Sequence, residues 1–441
     1  MRRIIFVGAP FGGFTRDILP AFERQGCRVW RFVFDGGDRL ETPQRFAVSF
    51  PDKGLNFAAF ARQFIIANKI DTIIVFNDCL PKQAAALRIG EQLGLETFAF
   101  ENAYFRPNFI VLEKKGINAR SRLPKAIEFY REHRDAGSGE TSERAASYLR
   151  ALTRDTILHY AASYLVSPVL PFDTRYYGAS VGEQARGYAR EFVKRLFARG
   201  GGMIAAIAAR KQAAPDGARL TTVLLQKPCD TQITASSQFH GNLDFIRLAM
   251  TSFAAHAPKC DILVVKEHPL DFGIERCMDF TVGLAASFGI SDRVFFLRGT
   301  HIDRLMPLTD AMATINSTGG LAGLKAGLPV ICLGRAFYDM PGLTFQGALD
   351  AFWQTQDRPA HDDVQAFRAY VVAAAQINGG FHSKAARIIL ARNFTARVLG
   401  DRQWPHEQIA PAQRSAALTV VAGGMRQRRA GGDGNPSVRL L

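Results

Sequence analysis

The sequence predicts an α/β protein made of two Rossmann-like parallel-sheet domains that face a cleft. Three observations carry that reading. Short apolar runs alternate with helical patterns from residue 3 to residue 334, as in a doubly wound sheet. The alternation breaks once, over the charged and helical stretch 115–219, which separates an earlier set of strands from a later one. Polar clusters stand where the strands should end, and open α/β sheets gather their ligands at those ends.

The earlier set opens with a strand at Arg3–Val7, then Gly8-Ala9-Pro10-Phe11-Gly12-Gly13 and a helical pattern over 15–24. The loop lacks G-x-G-x-x-G spacing. It reads as a close-approach loop, with Gly12 a candidate to face a substrate. A strand over 28–34 ends in Asp35-Gly36-Gly37-Asp38; turn chemistry accounts for such a cluster, and Asp38 is a candidate site acid. A helix over 55–69, a strand at Thr72–Phe76, the polar end Asn77-Asp78-Cys79, a helix over 81–93 and a strand over 96–100 follow. That last strand runs into Glu101-Asn102-Ala103-Tyr104-Phe105-Arg106-Pro107. An acid, a phenol and a guanidinium at one strand end read as a pocket. Residues 146–166 and 180–211 read as helices split by Pro168 and Pro171. Tyr176, Tyr177, Arg186, Arg190, Lys194 and Arg195 there form either a solvated face or an acceptor platform.

A linker at 211–219 leads to a strand over 221–225, which ends in Gln226-Lys227-Pro228-Cys229-Asp230-Thr231-Gln232. Helical patterns over 242–255 and 280–288 alternate with strands over 261–265 and 293–297, the former leading into Lys266-Glu267-His268-Pro269. Residues 311–334 form the strongest unit: an apolar run, the turn Asn316-Ser317-Thr318-Gly319-Gly320, a small-residue helix and a second apolar run. Backbone N–H groups at a helix N-terminus make an anion site that glycine lets a phosphate approach. An ordinary Ser/Thr cap is the alternative. With Lys266 and His268 at a strand end facing the same crevice, the two stretches read as one nucleotide-phosphate site.

Helices over 363–376 and 383–399 are expected to fold back across both domains. The tail 402–441 carries six Arg against two acids and is expected to be disordered. The expected division is 1–211 for the acceptor domain with its helical extension, 212–345 for the nucleotide-sugar domain, 346–400 for the C-terminal helices and 401–441 for the tail.

The net charge of +15 at pH 7 suits nucleic acid, an anionic membrane surface or anionic substrates. Lys and Arg are spread along the chain without a zinc finger, an RNA-binding sheet motif or a basic repeat, so no nucleic-acid partner is expected. Thirty-four Phe against ten Tyr point to large aromatic cores. The six cysteines are scattered without a C-x-x-C pair and read as reduced thiols of a cytoplasmic protein. Met1-Arg2-Arg3 leads straight into a strand, so no signal peptide is expected. No run of about 18 apolar residues occurs, so no membrane span is expected.

Two Rossmann-like halves around a cleft, with phosphate-type turns in the second, describe a GT-B-like glycosyltransferase. No D-x-D occurs, so no metal is expected; Lys266, His268 and the helix N-terminus would neutralise a leaving phosphate instead. Asp230 and Glu101, from opposite halves, are the candidate catalytic acids, and Arg106 a bidentate anchor for a carboxylate or phosphate; the alternative is that Asp230 is an N-cap or turn residue and Glu101 a structural partner of Arg106.

The chain resembles the capsule polysaccharide β-Kdo transferases of the KpsS/LipB type. The resemblance rests on FDGGD (34–38), FENAYFRPNFIVLEKKGIN (100–118), QKPCDTQI (226–233), KEHPLDFG (266–273), the stretch 314–353 from TINSTGG to DAFW, and QINGGF (376–381). The HP and Ser/Thr motifs are also similar to those of bacterial CMP-sialic acid transferases. The resemblance implies a CMP-sugar donor, CMP-β-Kdo, and retaining transfer to lyso-phosphatidylglycerol. The product would begin the oligo-Kdo linker of a capsule. It further implies work at the inner face of the cytoplasmic membrane, beside a linker-extending Kdo transferase and a capsule export complex. No cofactor is implied. The donor residues are then Lys266, His268, Pro269, Asn316, Ser317, Thr318 and Gly319. The sugar or acceptor residues are Gly12, Asp38, Asp78, Tyr104, Arg106 and Gln232. Two positions depart from the family pattern: Ala103 replaces the usual glycine before Tyr104, and 173–178 lacks the basic, histidine-rich run. Another nucleotide-sugar enzyme, an epimerase or an inverting transferase, and a non-catalytic assembly or export component remain open readings.

Overall fold

The computed structural model describes residues 1–50, 55–137, 149–166, 200–215, 217–228, 230–269, 271, 275–355 and 357–400. The stretch 173–178, the expected basic face at 186–195 and the tail lie outside them. In chain order the first unit contains β1 (Arg3–Val7), α1 (Phe14–Arg24), β2 (Arg28–Val33), α2 (Gly36–Glu41), β3 (Ala47–Ser49), α3 (Phe57–Ala67), β4 (Thr72–Phe76), α4 (Pro81–Gln92), β5 (Glu96–Asn102), β6 (Phe109–Lys114), α5 (Ile127–Glu132) and α6 (Leu149–Val166). The second contains α7 (Gly200–Gln212), β7 (Leu220–Leu224), α8 (Thr231–Ser236), α9 (Asn242–His256), β8 (Ile262–Lys266), α10 (Cys277–Ser287), β9 (Val294–Leu297), α11 (Ile302–Leu305), β10 (Ala311–Thr314), α12 (Gly320–Lys325), β11 (Val330–Cys332) and α13 (Leu349–Phe352). The chain returns through α14 (His361–Ala375), β12 (Gln376–Asn378) and α15 (Lys384–Leu399).

The first sheet has the order β12-β6-β5-β4-β1-β2-β3. Its five strands from β5 to β3 are parallel, while β6 and β12 join antiparallel. Both faces are covered, and the strand alternation says how. Ile4, Phe6, Ile74, Phe98 and Phe100 point to α1 and α15; Ile5, Val7, Ile73, Val75 and Ala99 point into a second cluster with α3 and α4. The first face is aromatic: Phe14 and Phe394 each lie 5.2 Å from Phe100. Each such ring buried contributes about 1.5–3 kcal/mol. The antiparallel pair β6 and β12 was not legible as strand, because 109–114 follows a polar, proline-containing loop and 376–378 directly follows a helix.

The second sheet, β11-β10-β7-β8-β9, is parallel throughout. The chain moves outward from β7 to β9, then crosses to β10 on the other side of β7. That reversal is a topological switch point, and the crevice above β7 and β10 is where such sheets bind ligands. α7, expected with the first half, packs on this sheet through Ile207. The two halves share one apolar cluster. It runs from Ile5, Val7 and Ile73 through Tyr130, Phe337, Phe367 and Tyr370 to Met312, Leu321 and Leu324. The two-half architecture with returning C-terminal helices is therefore present as the sequence predicts.

α6 is held by polar groups. Its 155, 159 and 163 positions lie one turn apart and face inward. Asp155 Oδ2 meets His382 Nδ1 at 3.3 Å, and the Ser163 hydroxyl accepts from Gly37 N at 2.9 Å. His159 bridges Asp35 at 3.5 Å and Glu41 at 3.2 Å, with Phe11 stacked on its ring at 3.9 Å. Two glycines make this seat. A Cβ on Gly37 would collide with the His159 ring, and one on Gly12, at φ +97°, with the Asp155 carboxylate.

Burial disfavours a charged His159, but its hydrogen bonds and charge contacts with Asp35 and Glu41 outweigh that and push it up to about 10. A pKa raised on folding contributes stability that is fully present below the unfolded value of 6.5 and is lost as pH rises through about 10. Urea unfolding of wild type and His159→Gln should therefore differ most at or below pH 6.5 and converge towards pH 10. A pH-independent gap would remove the charge from the account.

Candidate functional site

The site lies where the carboxyl ends of β7, β8 and β10 face those of β4 and β5. Gln226 leaves β7 and is 4 % exposed. Its Oε1 accepts from Asn316 N at 3.2 Å and its Nε2 donates to Asp230 Oδ2 at 3.1 Å. One amide thus joins the two loops at the switch point. Asn242, at the start of α9, clamps the Gln226 backbone from both sides, accepting from its N and donating to its O at 3.0 Å each. Asn316 Nδ2 donates to Gln232 O at 3.1 Å. Gln232 Nε2 and Asn316 Oδ1 are buried without a protein partner among the described residues. Orphaned buried groups are costly, and these two stand in the loops at the switch point.

Asp230 is the N-cap of α8, accepting from Gln232 N at 2.9 Å. Burial raises its pKa; the two hydrogen bonds and the Lys227 charge oppose that. Glu101, at the end of β5, accepts from Asn118 Nδ2 at 3.0 Å. Burial, then the negative charges of Asp230 and Asp78, push Glu101 up to about 7, against Asn118 and Arg106. The charge of Asp230 therefore reaches Glu101 across the cleft.

His268 follows β8. Burial and the charges of Lys227, Lys266 and Arg106 push it down to about 4. It is neutral at physiological pH, which corrects the expectation of a cationic His268: the positive charge at this spot belongs to its neighbours. Lys266 is buried and donates to Glu267 O at 2.5 Å. Arg106 Nε reaches Ala103 O at 3.4 Å. The cations come from three strand ends, one in the opposite half. Pro269 is exposed beside them. Lys227 was not singled out from the sequence, although it stands in the QKPCDTQI stretch; a lysine after a strand carries no signal until its neighbours are placed.

The Ser317 hydroxyl accepts from Gly319 N at 3.1 Å, and Ser317 N donates to Thr314 Oγ1 at 3.3 Å. Tyr338 Oη donates to Ser317 O at 2.5 Å. The cap of α12 is Gly319, not Ser317. The Thr318 side chain is half-buried.

Four sugar or acceptor candidates turn out to be spent inside the protein. Gly12 lies under α6. Asp38 pairs with the buried Arg31 and accepts from Phe34 N at 3.0 Å. Asp78 is fully buried and accepts from Ile117 N at 3.0 Å. Tyr104 Oη donates to Glu113 Oε1 at 2.6 Å and accepts from Asn118 N at 2.7 Å, while its ring stacks on Phe337 at 3.8 Å. Close spacing in sequence could not tell these structural partners from ligand contacts. Arg106 and Gln232 remain at the cleft. Asp35, Asp38 and His159 come within 4.8 Å of one another, but ion pairs with Arg31 and Glu41 already engage them, so the set does not suit a metal.

The family model for "capsule polysaccharide biosynthesis protein" matches residues 71–382. The capsule polysaccharide export protein KpsS of Escherichia coli is 28 % identical over 86 % of this chain and 97 % of its own length. The capsule polysaccharide modification protein LipB of Neisseria meningitidis serogroup B is 30 % identical over 86 % and 92 %. Among solved structures, the Thermosulfurimonas dismutans KpsC β-Kdo 2,7 transferase aligns over 89 % of this chain and 98 % of that one, at 14 % identity and a TM-score of 0.41, a level that bears on no functional argument. The motifs that build the cleft, from the 100–118 stretch to the 314–353 stretch, fall inside the matched region, and the chain belongs to the capsule polysaccharide biosynthesis protein family.

Proposed function

We propose that this protein is a retaining glycosyltransferase that moves β-Kdo from CMP-β-Kdo to a lyso-phosphatidylglycerol acceptor. It would work peripherally at the inner face of the cytoplasmic membrane, beside a linker-extending transferase and a capsule export complex. The observation that carries the reading is the pair Asp230 and Glu101. They come from opposite halves, and burial first, then the charges of Asp230 and Asp78, hold Glu101 near neutrality. Burial raises both acids, and a carboxyl held near neutrality is suited to exchange a proton with an acceptor hydroxyl.

In the first step an Asp230 oxygen attacks the anomeric carbon and the bond to the CMP phosphate breaks, its electron pair leaving with CMP. Gln226 Nε2 and Gln232 N hold the carboxylate in place. Lys227, Lys266 and Arg106 meet the charge of the departing phosphate, and neutral His268 offers it a hydrogen bond. In the second step Glu101 takes the proton of the acceptor hydroxyl, whose oxygen displaces Asp230. Two inversions give net retention. The orphaned Gln232 Nε2 and Asn316 Oδ1 would meet polar groups of the nucleotide.

His268→Ala should lower turnover at least about a hundredfold; near-normal turnover of a folded variant would remove His268 from the donor site. Asp230→Asn should abolish transfer and keep CMP binding. Glu101→Gln should let a Kdo adduct accumulate on Asp230, read by intact-protein mass spectrometry. Retained transfer in Asp230→Asn, or an adduct elsewhere, overturns the roles.

Because the base must be ionised, transfer should fall about tenfold per pH unit below about 7. A pH–rate profile flat from pH 5 to 8 on the order of this scale would exclude Glu101 as base.

Ser317→Ala should cost about 1 kcal/mol through its lost bond to Gly319, whereas Thr318→Ala should melt like wild type. Both should weaken CMP by about tenfold or more. Unchanged affinity would reduce the turn to a structural cap.

A further inference from the structure

The helix α6 is amphipathic in the reverse sense. Its inward face is the polar stripe Asp155, His159 and Ser163, all buried. Its outward face, beyond the exposed Thr153 and Arg154 at its N-terminal part, is apolar: Ile157 is 63 % exposed, Leu158 52 %, Tyr164 79 % and Leu165 79 %. With the exposed Ala161, these positions repeat at the spacing of one helix face. Surface helices normally turn that face to the core. Here the inner face is already satisfied by ion pairs and hydrogen bonds to the loops after β1, β2 and β12, and among the described residues the outer stripe stays largely uncovered.

We infer that this outer face of α6 is a lipid-docking surface, on which Ile157, Leu158, Ala161, Tyr164 and Leu165 enter the headgroup region of an anionic bilayer. Three observations favour a bilayer as the occupant. The helix roofs the carboxyl end of the first sheet, on the half proposed to receive the acceptor, so docking there brings the cleft to the lipid. The protein carries a net charge of +15, and residues 167–199, which continue directly from α6, hold six Lys or Arg against three acids; basic residues near an anionic surface add to apolar insertion. A second copy fits poorly. Five side chains on one helix face present less than the about 800 Å² per partner of a stable protein interface. The inference rests on the transferase reading for its use, since an acyl-chain acceptor is what such docking would serve.

The test uses the full-length protein and no sugar nucleotide. Sedimentation with phosphatidylcholine vesicles, with and without phosphatidylglycerol, measures binding. Wild type should bind the anionic vesicles. The double variant Ile157→Glu/Leu165→Glu should lose about tenfold or more of that partitioning at unchanged melting temperature. Ile388→Glu, at an exposed apolar position on α15, should bind like wild type. Leu158→Cys carrying an environment-sensitive dye should shift to the blue only when phosphatidylglycerol vesicles are added, with identically labelled wild type as blank. Equal binding by the double variant overturns the inference. So does a dye already blue-shifted without vesicles, which would assign the face to residues 167–199 or, if concentration-dependent, to a second copy. CMP release with a water-soluble acceptor analogue, measured separately, decides the transferase reading whatever the vesicles show.

Discussion

Everything at the cleft depends on the apolar cluster that joins the two sheets. Glu101 and Asp230 can act on each other only if β5 and β7 are fixed relative to one another, and neither strand touches the other's sheet. The joint is made by residues 336–343 and α14, which pack between the halves. Its polar fasteners are few and well placed. Tyr104 stacks on Phe337, Lys125 donates to Ala336 O, and Arg131 pairs bidentately with Asp363 at 2.7 Å. Tyr104 belongs to the same loop as Glu101 and Arg106, so the contact that joins the halves also positions two cleft residues.

Within the second half, the organising element is a single amide. Gln226 satisfies one acceptor and one donor need in two loops at once, and Asn242 fixes its backbone. Removing either hydrogen-bonding end would leave a buried partner unsatisfied, which costs more than the bond itself is worth. The three cations around His268 have the opposite character. They act through charge: together with burial they depress the imidazole, and Lys227 opposes the burial shift of Asp230.

Much of this was legible in the sequence, for identifiable reasons. Parallel strands buried on both faces read as continuous apolar runs, so β1, β4, β7, β8 and β10 fell within a residue or two of their expected positions. Polar strand ends marked the cleft, and the charge of one acid chosen there reaches the other. What was not legible depends on long-range partners. FDGGD looked like a site motif, but its glycine admits α6 and its aspartate pairs with Arg31. His268 looked cationic until Lys227, Lys266 and Arg106 were placed around it. β12 was hidden because its three residues gain strand character only from β6, more than 260 residues earlier.

That late strand has a consequence for how the protein comes to exist. Gln376–Asn378 complete the outer edge of a sheet whose other strands lie within the first 114 residues, and Phe394 closes its aromatic face. During synthesis the first unit must wait, with β6 as a bare edge and Phe14 and Phe100 uncovered, until nearly the whole second unit has been made. Non-local pairing of this kind is slow, and an open strand edge recruits other chains. The ribosome-bound half is therefore the form of this protein most exposed to aggregation, and chaperone demand should fall on it and not on the finished protein.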